Sequence, residues 1–207
     1  MSDSLETIYK AENAALDRVL RRALGKSGLK LPVAKDGTLQ ILDLACGTCR
    51  EAATLVKVFR ELRGGGKPVR FVGADIRDRE LDEAAARAKR AGQAGDTFEF
   101  LTENCAKIDR HAELGGEFDV TFLRHQNYWN DKPVWQRIFE QGLNKLKDDG
   151  LLVITSYFDR EHELALRALD RAGAELVVTE TNETSRLLSD APGKSVDRHV
   201  AVFRRKK

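Results

Sequence analysis

The stretch Asp43 to Glu51, DLACGTCRE, decides how this chain of 207 residues folds, and it supports two incompatible interpretations. Cys46 and Cys49 form a C-x-x-C pair, which is the spacing of dithiol redox sites and of half of many zinc sites. The same stretch, with Gly47 between the cysteines, also fits a glycine turn that joins a buried strand to a helix. The sequence on either side favours the second interpretation.

A short apolar run precedes the stretch and an amphipathic pattern follows it. Residues 38–45, TLQILDLA, are bounded by turn residues, as in a strand that is covered on both faces. Residues 50–63, REAATLVKVFRELR, place their apolar side chains on one face of a helix, and glycines at positions 64–66 end it. Together these segments predict a strand, a turn and a helix.

The same alternation continues along the chain. Further strands are predicted over residues 68–76, 97–103, 118–125 and 151–158, and further helices over residues 77–92, 131–149 and 159–173, with a turn or two of helix between 104 and 117. Residues 174–182 and 198–206 are two strands with no helix between them, so we expect them to pair antiparallel. The pattern predicts an α/β fold, in which helices cover both faces of an open, mainly parallel sheet.

The composition narrows the class of protein. Hydrophobic residues make up 42% of the chain and charged residues 33%, and no apolar run is long enough for a membrane span. The net charge of +2 makes a nucleic-acid partner unfavoured. Three cysteines do not make a disulfide framework, and the N-terminus lacks the apolar block of a signal peptide. We expect a soluble cytoplasmic protein without a membrane partner, and the sequence predicts no oligomeric state.

The N-terminal residues form a segment of their own. Residues 1–25 carry apolar side chains at helical spacing, and the connector that follows contains Gly28, Pro32 and Gly37 as helix breakers. We therefore predict a helix and connector over residues 1–37, as a candidate cap of the functional site, and one domain over residues 38–207.

Ligands of such sheets bind beyond the carboxyl ends of the strands, next to the switch in strand order beside the first strand. The turn after the first strand lacks the pattern G-x-G-x-x-G, so a nicotinamide or flavin dinucleotide fits poorly. Asp75 ends the second strand, where a carboxylate can accept hydrogen bonds from both hydroxyls of a ribose. A helix N-cap or a surface acid is the alternative role for Asp75.

With these residues, the chain resembles the class I S-adenosylmethionine-dependent methyltransferases over roughly residues 38–207. ILDLACGTCRE resembles the first motif of that family, with Ala45 and Cys49 each in place of a glycine, and FVGADI resembles the second. Asn104 and Cys105 stand where the family has an acid and a small residue after the third strand, and FDVTFLRH resembles the fourth strand. The motifs follow one another in the family's order, and the closing pair of strands also matches.

The resemblance implies a three-layer, Rossmann-like sandwich with a seven-stranded, mainly parallel sheet and a C-terminal antiparallel hairpin. It also implies S-adenosylmethionine as the cofactor, S-adenosylhomocysteine as its product, and no metal. Asp75 would bind the ribose, Ile76 would pack on the adenine, and Asn104 would face the adenine amino group. The full set of implied cofactor-binding residues is Asp43, Ala45, Cys46, Gly47, Asp75, Ile76, Asn104, Cys105, Leu123, Arg124 and His125.

His125 is the predicted catalytic residue. It lies at the end of the fourth strand, and a neutral imidazole can take a proton from a hydroxyl or an amine near pH 7. The alternative is that His125 only hydrogen-bonds the cofactor or the backbone. Because the sulfonium methyl is already activated, transfer needs mainly a nucleophile held in line with it.

Aromatic and basic residues near the same edge are predicted to contact the substrate. Tyr128 and Trp129 could wall an apolar or aromatic acceptor, or instead anchor the next helix in the core. The loop of residues 181–197 is longer than a tight hairpin needs and is a candidate lid. The predicted substrate residues are Tyr9, Tyr128, Trp129, Tyr157, Arg186 and Arg198. The two arginines would hold an acidic group, with plain surface roles as the alternative.

The rival interpretations of the cysteine pair explain less of the chain. A thioredoxin-like fold is smaller and leaves the later strand–helix units and Asp75 without a role. A zinc site needs four ligands, and Cys105 and the four histidines stand at no matching spacing. The sequence predicts an enzyme that transfers a methyl group from S-adenosylmethionine to a small molecule by direct in-line transfer. The alternatives are a cofactor-binding sensor or partner subunit without catalysis, and an RNA or protein methyltransferase.

Overall fold

The computed structural model describes residues 2–31, 37–115 and 118–206. Residues 32–36 of the predicted connector, Pro32 among them, lie outside the described residues. None of the described helices is both long and apolar enough to cross a membrane.

Strands and helices alternate from the first strand to the last helix. The α-helices are α1 Ser2–Ser27, α2 Ala52–Leu62, α3 Asp78–Ala91, α4 Lys132–Asn144 and α5 Asp159–Arg171. The strands are β1 Leu39–Leu44, β2 Val69–Asp75, β3 Thr97–Thr102, β4 Phe118–Leu123, β5 Leu146–Ser156, β6 Ala174–Thr181 and β7 His199–Arg205. Two short 3₁₀ helices, Cys105–Arg110 and Ala112–Leu114, stand between β3 and β4.

These strands form one seven-stranded sheet in the order β3-β2-β1-β4-β5-β7-β6. The pairs β1–β2, β1–β4, β2–β3 and β4–β5 are parallel, whereas β7 runs antiparallel to both β5 and β6. The predicted α/β architecture with its C-terminal antiparallel hairpin is confirmed. Because β2 and β4 flank β1 on opposite sides, the switch in strand order lies at β1, where a ligand-binding crevice is expected.

Helices bury both faces of the sheet. One core contains Ile41 of β1 together with Leu20 of α1 and Phe59 of α2. The other contains Leu42 of β1 together with Phe139 of α4. Successive residues of β1 point to opposite faces, and both faces are covered, which explains why this strand is a continuous apolar run in the sequence.

The boundary between α4 and β5 differs from the prediction. The sequence pattern extends the helix to residue 149, with Gly150 beyond its end, whereas α4 ends at Asn144 and β5 begins at Leu146. Leu146 is buried and pairs with Phe118 of β4, whose backbone N–H donates to the carbonyl of Lys145 at 2.8 Å. An apolar residue at position 146 fits the helical period and the strand equally well, and pairing with β4 decides for the strand.

The N-terminal helix α1 belongs to the first core. Leu16, Leu20 and Ala23 have no exposed surface, and Lys26 forms an ion pair with Glu180 of β6 at 2.8 Å. The segment that the sequence presents as a candidate cap therefore also contributes apolar side chains to the interior. The division of the chain at residue 37 stays a prediction.

Candidate active site

A cavity of about 760 Å³ lies at the carboxyl edge of the sheet, at the switch in strand order, and its volume falls within the range of small-molecule sites. Its walls are the turns after β1, β2, β3 and β4, parts of α1 and α4, and a segment between β6 and β7. We call residues 182–198 the cover segment. The predicted site residues that line the cavity are Tyr9, Ala45, Cys46, Gly47, Asp75, Ile76, Asn104, Cys105, Arg124, His125, Tyr157 and Arg186.

The turn after β1 is a left-handed backbone segment. Ala45, Gly47 and Cys49 have φ values of 57°, 53° and 46°. The backbone N–H of Cys46 donates to the carbonyl of Ala74 in β2 at 3.1 Å, which holds the turn against the neighbouring strand. Ala45 and Cys49 stand at the two positions where the first motif of the methyltransferase family usually has glycine. Both residues have positive φ, and glycine is favoured at such positions because it adopts positive φ without strain.

The two cysteines of the opening stretch are buried thiols. Cys49 donates a hydrogen bond to the carboxyl of Asp43 at 3.4 Å. Burial, with help from Cys46, raises the pKa of Cys49 well above its ordinary value. A hydrogen bond with Cys49 works to lower the pKa of Cys46, but burial and nearby carboxylates raise it on balance. Reactive cysteines have lowered pKa values, so this environment opposes dithiol chemistry.

Asp75 at the end of β2 is held by two groups. Its carboxylate accepts the backbone N–H of Gly47 at 2.8 Å and the Nε–H of Arg77 at 2.9 Å. Burial alone would raise the pKa of Asp75, but these hydrogen bonds bring it below its ordinary value. The side chain of Arg77 is 55% exposed, so it can move into solvent if a sugar takes its place on Asp75.

Gly47 allows this arrangement because it has no side chain. A Cβ at this position would lie 2.7 Å from the Arg77 guanidinium and 2.9 Å from the carboxylate of Glu80. The positive φ of Gly47 adds a second reason for glycine here. A side chain at position 47 would therefore collide with Arg77 and Glu80, and the backbone of the turn is open to a ligand once these two side chains move.

Apolar side chains line the part of the cavity beside β2 and α4. Ile76 is 68% exposed, which is unusual for an isoleucine, and Val134, Trp135 and Ile138 of α4 line the same cavity. Asn104 accepts the backbone N–H of Ala106 on its side-chain oxygen at 3.0 Å, and that oxygen keeps a second lone pair. An apolar wall beside an amide is suited to a flat, polar-edged ring.

A buried ion cluster joins the start of α2 and the end of β4 to the cover segment. Arg124 lies 3.1 Å from Glu51 and 2.6 Å from Asp197. Burial alone would lower the pKa of Arg124, but the two carboxylates raise it, so the guanidinium stays charged. Beside this cluster, burial raises the pKa of Asp43, and the charge of Glu51 adds to the effect, which favours the neutral acid.

His125 is fixed on its edge and on its face. Its Nε2 lies 2.8 Å from Oδ1 of Asp197, and its ring stacks on Tyr157 with 3.9 Å between centroids. Its backbone N–H donates to the hydroxyl of Thr155 at 3.0 Å, and its φ is 56°. Burial raises the pKa of Tyr157 to about 12, so the phenol keeps its proton near neutral pH.

The helix α1 and the cover segment close the cavity from outside the sheet. The guanidinium of Arg50 lies 3.8 Å from the ring centroid of Tyr9 in α1. Arg186 in the cover segment donates from Nε to Glu12 of α1 at 3.0 Å. Ion pairing and cation–π contact thus connect three separate parts of the chain at the mouth of the cavity.

Five of the predicted site residues do not line the cavity. Asp43 and Leu123 are fully buried below it, because their side chains point into the sheet's interior layers. Tyr128 is buried and stacks on Phe139 of α4, with 5.7 Å between centroids.

The remaining two lie elsewhere on the molecule. Trp129 packs against Phe158, with 4.8 Å between centroids, and Arg198 forms an ion pair with Asp159 at 2.5 Å. Tyr128 and Trp129 are thus engaged in packing contacts, which was the open alternative for these two residues. Direct contact of any of the five with a ligand in this cavity is not supported by their positions.

The sequence interpretation missed other residues of the site. Glu51, Arg77 and Trp135 line the cavity, and Asp197 holds both Arg124 and His125. A signal existed for Glu51 and Arg77, since Glu51 is the last residue of the first motif and Arg77 directly follows the second. No local signal marks Asp197, which lies in an irregular loop.

Comparisons with known proteins agree with this geometry. A family model described as a methyltransferase domain matches residues 35–196, which is more than half of the chain. The chain belongs to the methyltransferase domain family. It is a class I S-adenosylmethionine-dependent methyltransferase with S-adenosylmethionine as its cofactor.

Solved structures of other methyltransferases share the fold at low sequence identity. An S-adenosylmethionine-dependent methyltransferase from Clostridium acetobutylicum ATCC 824 is 11% identical, with a TM-score of 0.64 over 96% of this chain and 92% of that one. Magnesium protoporphyrin IX methyltransferase from Synechocystis PCC 6803, with bound S-adenosylmethionine, is 17% identical, with a TM-score of 0.63 over 95% and 80% of the two chains.

The N-methyltransferase NodS from Bradyrhizobium japonicum WM9, in complex with S-adenosylhomocysteine, is 16% identical, with a TM-score of 0.61 over 92% of this chain and 85% of that one. No curated protein matches the sequence of this methyltransferase. At these identities the structures show a shared fold, and the acceptor of this methyltransferase has to be inferred from its own cavity.

The cavity fits the cofactor on three observations. Gly47 leaves a cradle that a Cβ would fill, Asp75 offers a carboxylate to hydroxyl groups, and Ile76 offers an exposed apolar surface. These are the groups that a ribose and an adenine ring need. The methyltransferase therefore has the donor and acceptor set for S-adenosylmethionine.

Proposed function

We propose that this methyltransferase transfers the methyl group of S-adenosylmethionine to a small-molecule acceptor, with His125 as the general base. The observation that carries the proposal is a single cavity of about 760 Å³ that contains both Asp75 and His125 and is covered by α1 and the cover segment. A covered cavity of this size has room for the cofactor and a small acceptor.

Asp75, Ile76 and Asn104 would hold the adenosine part of the cofactor. The carboxylate of Asp75 would accept hydrogen bonds from the ribose hydroxyls in exchange for those from Arg77. Ile76 would pack on the adenine, and Asn104 would meet its polar edge. Gly47 would let the sugar and the methionine part lie close to the turn after β1.

His125 lines the same cavity and would act on the acceptor. When bound, S-adenosylmethionine supplies a methyl group on a positively charged sulfur, and its departure leaves the electrons of the broken C–S bond on that sulfur. His125 would take the proton of the acceptor's O–H or N–H as the acceptor's lone pair forms the new bond to carbon. The protein's remaining task is to hold the acceptor in line and to exclude water.

The cofactor end is tested by titration calorimetry with S-adenosylhomocysteine. We expect Asp75→Ala to weaken binding at least tenfold, because each tenfold loss corresponds to about 1.4 kcal/mol, the scale of one lost charged hydrogen bond. Cys46→Ala and Cys49→Ala should change the affinity much less, because neither thiol has a role in this proposal beyond filling space.

Two controls separate binding from folding. Asp75→Asn keeps an acceptor for the Gly47 N–H and should bind more tightly than Asp75→Ala. Asp78→Ala removes an exposed acid near the same strand end and should leave the affinity unchanged. A cysteine variant that abolishes binding, together with an Asp75→Ala variant that binds normally, would sink the assignment.

The two alternative functions predict different results in binding and methylation assays of the same purified protein. A cofactor-binding sensor or partner subunit would bind S-adenosylhomocysteine but methylate no member of a broad acceptor panel. An RNA or protein methyltransferase would transfer radiolabelled methyl to macromolecules and not to small hydroxyl or amino compounds. The near-neutral net charge of +2 favours the small acceptor.

A further inference from the structure

A carboxylate near the end of the cover segment, that of Asp197, contacts two side chains of the candidate site. Asp197 is fully buried, and its carboxylate lies 2.6 Å from Nη2 and 3.1 Å from Nε of Arg124. Its Oδ1 also lies 2.8 Å from Nε2 of His125. One buried carboxylate thus serves two side chains of the turn after β4.

We infer that Asp197 is a positioning residue for His125. Asp197 holds the imidazole of His125 as the tautomer that is protonated on Nε2, and the lone pair on Nδ1 is then free to act as the base. The inference rests on the proposed role of His125. It adds a residue from the cover segment to the site and explains how the base is oriented.

Two hydrogen bonds compete for Nε2 of His125. The carboxylate of Asp197 lies 2.8 Å away and requires a proton on Nε2, whereas the backbone N–H of the same residue lies 3.1 Å away and requires a lone pair there. A hydrogen bond to an ionised carboxylate is shorter and about twice as strong as a neutral one, so it decides the competition. Within the described part of the chain, no hydrogen bond to Nδ1 of His125 is found.

The charge state of Asp197 supports this choice. Burial alone would raise its pKa, but the positive charge of Arg124 and the hydrogen bonds from Arg124 and His125 hold it far below its ordinary range. The carboxylate is therefore ionised near neutral pH. An ionised carboxylate can only accept, and the N–H of the imidazole is the donor that it meets.

Backbone strain at both His125 and Asp197 also supports a positioning role for their contact. His125 and Asp197 have φ values of 56° and 49°, in the left-handed region that disfavours residues other than glycine. The contact between them orients the imidazole from its edge, while Tyr157 stacks on its face. A base held on two sides is pre-organised for proton transfer.

In the proposed reaction, a lone pair of the acceptor atom would bond to the methyl carbon as the C–S bond breaks and leaves its electrons on sulfur. Nδ1 of His125 would accept the acceptor's proton, and the electrons of the broken acceptor–hydrogen bond would stay on the acceptor atom. The imidazolium that forms keeps its Nε2–H on the carboxylate of Asp197, which balances the new positive charge. No further proton moves, and no oxidant or reductant is needed.

The test is a long-range ¹H–¹⁵N spectrum of the full chain with ¹⁵N-labelled histidine, recorded at mildly alkaline pH. The chain has four histidines, so the signal of His125 is assigned by its loss in His125→Gln. We expect the Nε2–H tautomer in the wild type. Asparagine adopts positive φ readily, so Asp197→Asn should keep the local backbone. In this variant we expect a shift toward the Nδ1–H tautomer.

A matched control exists in the same structure. Asp159 lies 2.6 Å from Nε2 of His199 and also pairs with an arginine, but it does not line the cavity. Asp159→Asn should leave the His125 tautomer unchanged. Methylation with an acceptor from the panel should fall at least tenfold in kcat in Asp197→Asn, with S-adenosylhomocysteine affinity within about threefold of wild type.

The spectrum needs neither cofactor nor acceptor, so its result is independent of the proposed function. An Nδ1–H tautomer in the wild type would overturn the inference even if Asp197→Asn does not fold. An unchanged tautomer in a folded Asp197→Asn protein would overturn it as well. Failure of S-adenosylhomocysteine to bind wild type would instead refute the proposed function and leave the tautomer assignment intact.

Discussion

At the scale of single residues, the candidate site concentrates backbone strain. Within the described residues, the non-glycine positions with positive φ are Ala45, Cys49, His125 and Asp197. All four lie in the turns around the cavity or in the cover segment. A left-handed conformation costs a residue with a Cβ roughly 1–2 kcal/mol, so the surrounding contacts must hold it in place. The concentration of such residues here is what functional sites commonly show.

The strain at Ala45 leads to a stability prediction. Ala45→Gly should raise the free energy of unfolding by about 0.5–1 kcal/mol, because relief of the left-handed strain outweighs the larger conformational entropy of glycine in the unfolded chain. Urea denaturation followed by circular dichroism measures the change. Ala85→Gly, at an exposed position inside α3, should lower the free energy of unfolding by about 1 kcal/mol. A loss of stability in Ala45→Gly would show that the turn is not strained at this residue.

At the scale of elements, one aspartate ties α2 to the start of β2 and the loop before β3. Asp96 accepts two hydrogen bonds from Arg60 at 2.6 Å, one from the backbone N–H of Val69 at 3.0 Å and one from that of Gln93 at 2.8 Å. Burial alone would raise the pKa of Asp96, but these partners lower it. Because β3 is at one edge of the sheet, this carboxylate helps hold that edge.

Asp96→Asn should lower the free energy of unfolding at pH 7 by about 1–3 kcal/mol, the loss expected for hydrogen bonds to a charged group. The folded pKa lies below the unfolded value of about 3.9, so the contribution of Asp96 is fully present above that pH and is lost as the pH falls through the folded pKa. Urea denaturation between pH 7 and pH 3 should show the difference between wild type and variant shrinking below about pH 4. Asp149→Asn, at an exposed position in β5, should change little at any pH. A difference that stays constant down to pH 3 would contradict the role of the charge.

At the scale of the whole molecule, α1 has two functions in the structure. Its inner face packs against α2, β6 and β7, and its outer turns reach the mouth of the cavity through Tyr9 and Glu12. Arg186 pairs with Glu12 across 174 positions of sequence. The cover of the site is thus built on a helix that is anchored in the interior, so an opening motion would have to involve the cover segment or the first turns of α1.

This arrangement predicts that α1 unfolds together with the rest of the chain. Leu20→Ala should lower the free energy of unfolding by about 2–5 kcal/mol, because Leu20 is fully buried, whereas Leu5→Ala on the same helix should change it by less than about 0.5 kcal/mol, because Leu5 is exposed. Both changes are measured by urea denaturation with tryptophan fluorescence and circular dichroism as separate probes. A small effect of Leu20→Ala, or two transitions that do not coincide, would mean that α1 is a separate cap.

Much of the fold could be predicted from the sequence, because it depends on local patterns. The order of strands and helices follows from apolar periodicity and from glycine at the turns, and the positions of Gly47 and Asp75 follow from the motifs that end β1 and β2. The α4–β5 boundary was predicted wrongly, since Leu146 fits both periods and only its pairing with Phe118 selects the strand. Tyr128 and Trp129 were ambiguous for a similar reason, because an aromatic side chain after a strand can face a ligand or the core.

By itself, the sequence determined the types of the elements, the family motifs and the edge of the sheet where the site lies. Only the tertiary structure decided which side chains meet there. Asp197 reaches Arg124 across 73 positions and carries no local signal, and the parallel sheet brings the two together because the ends of its strands share one edge. Periodicity records how each segment buries its own apolar face, whereas contacts between distant turns depend on how the segments pack.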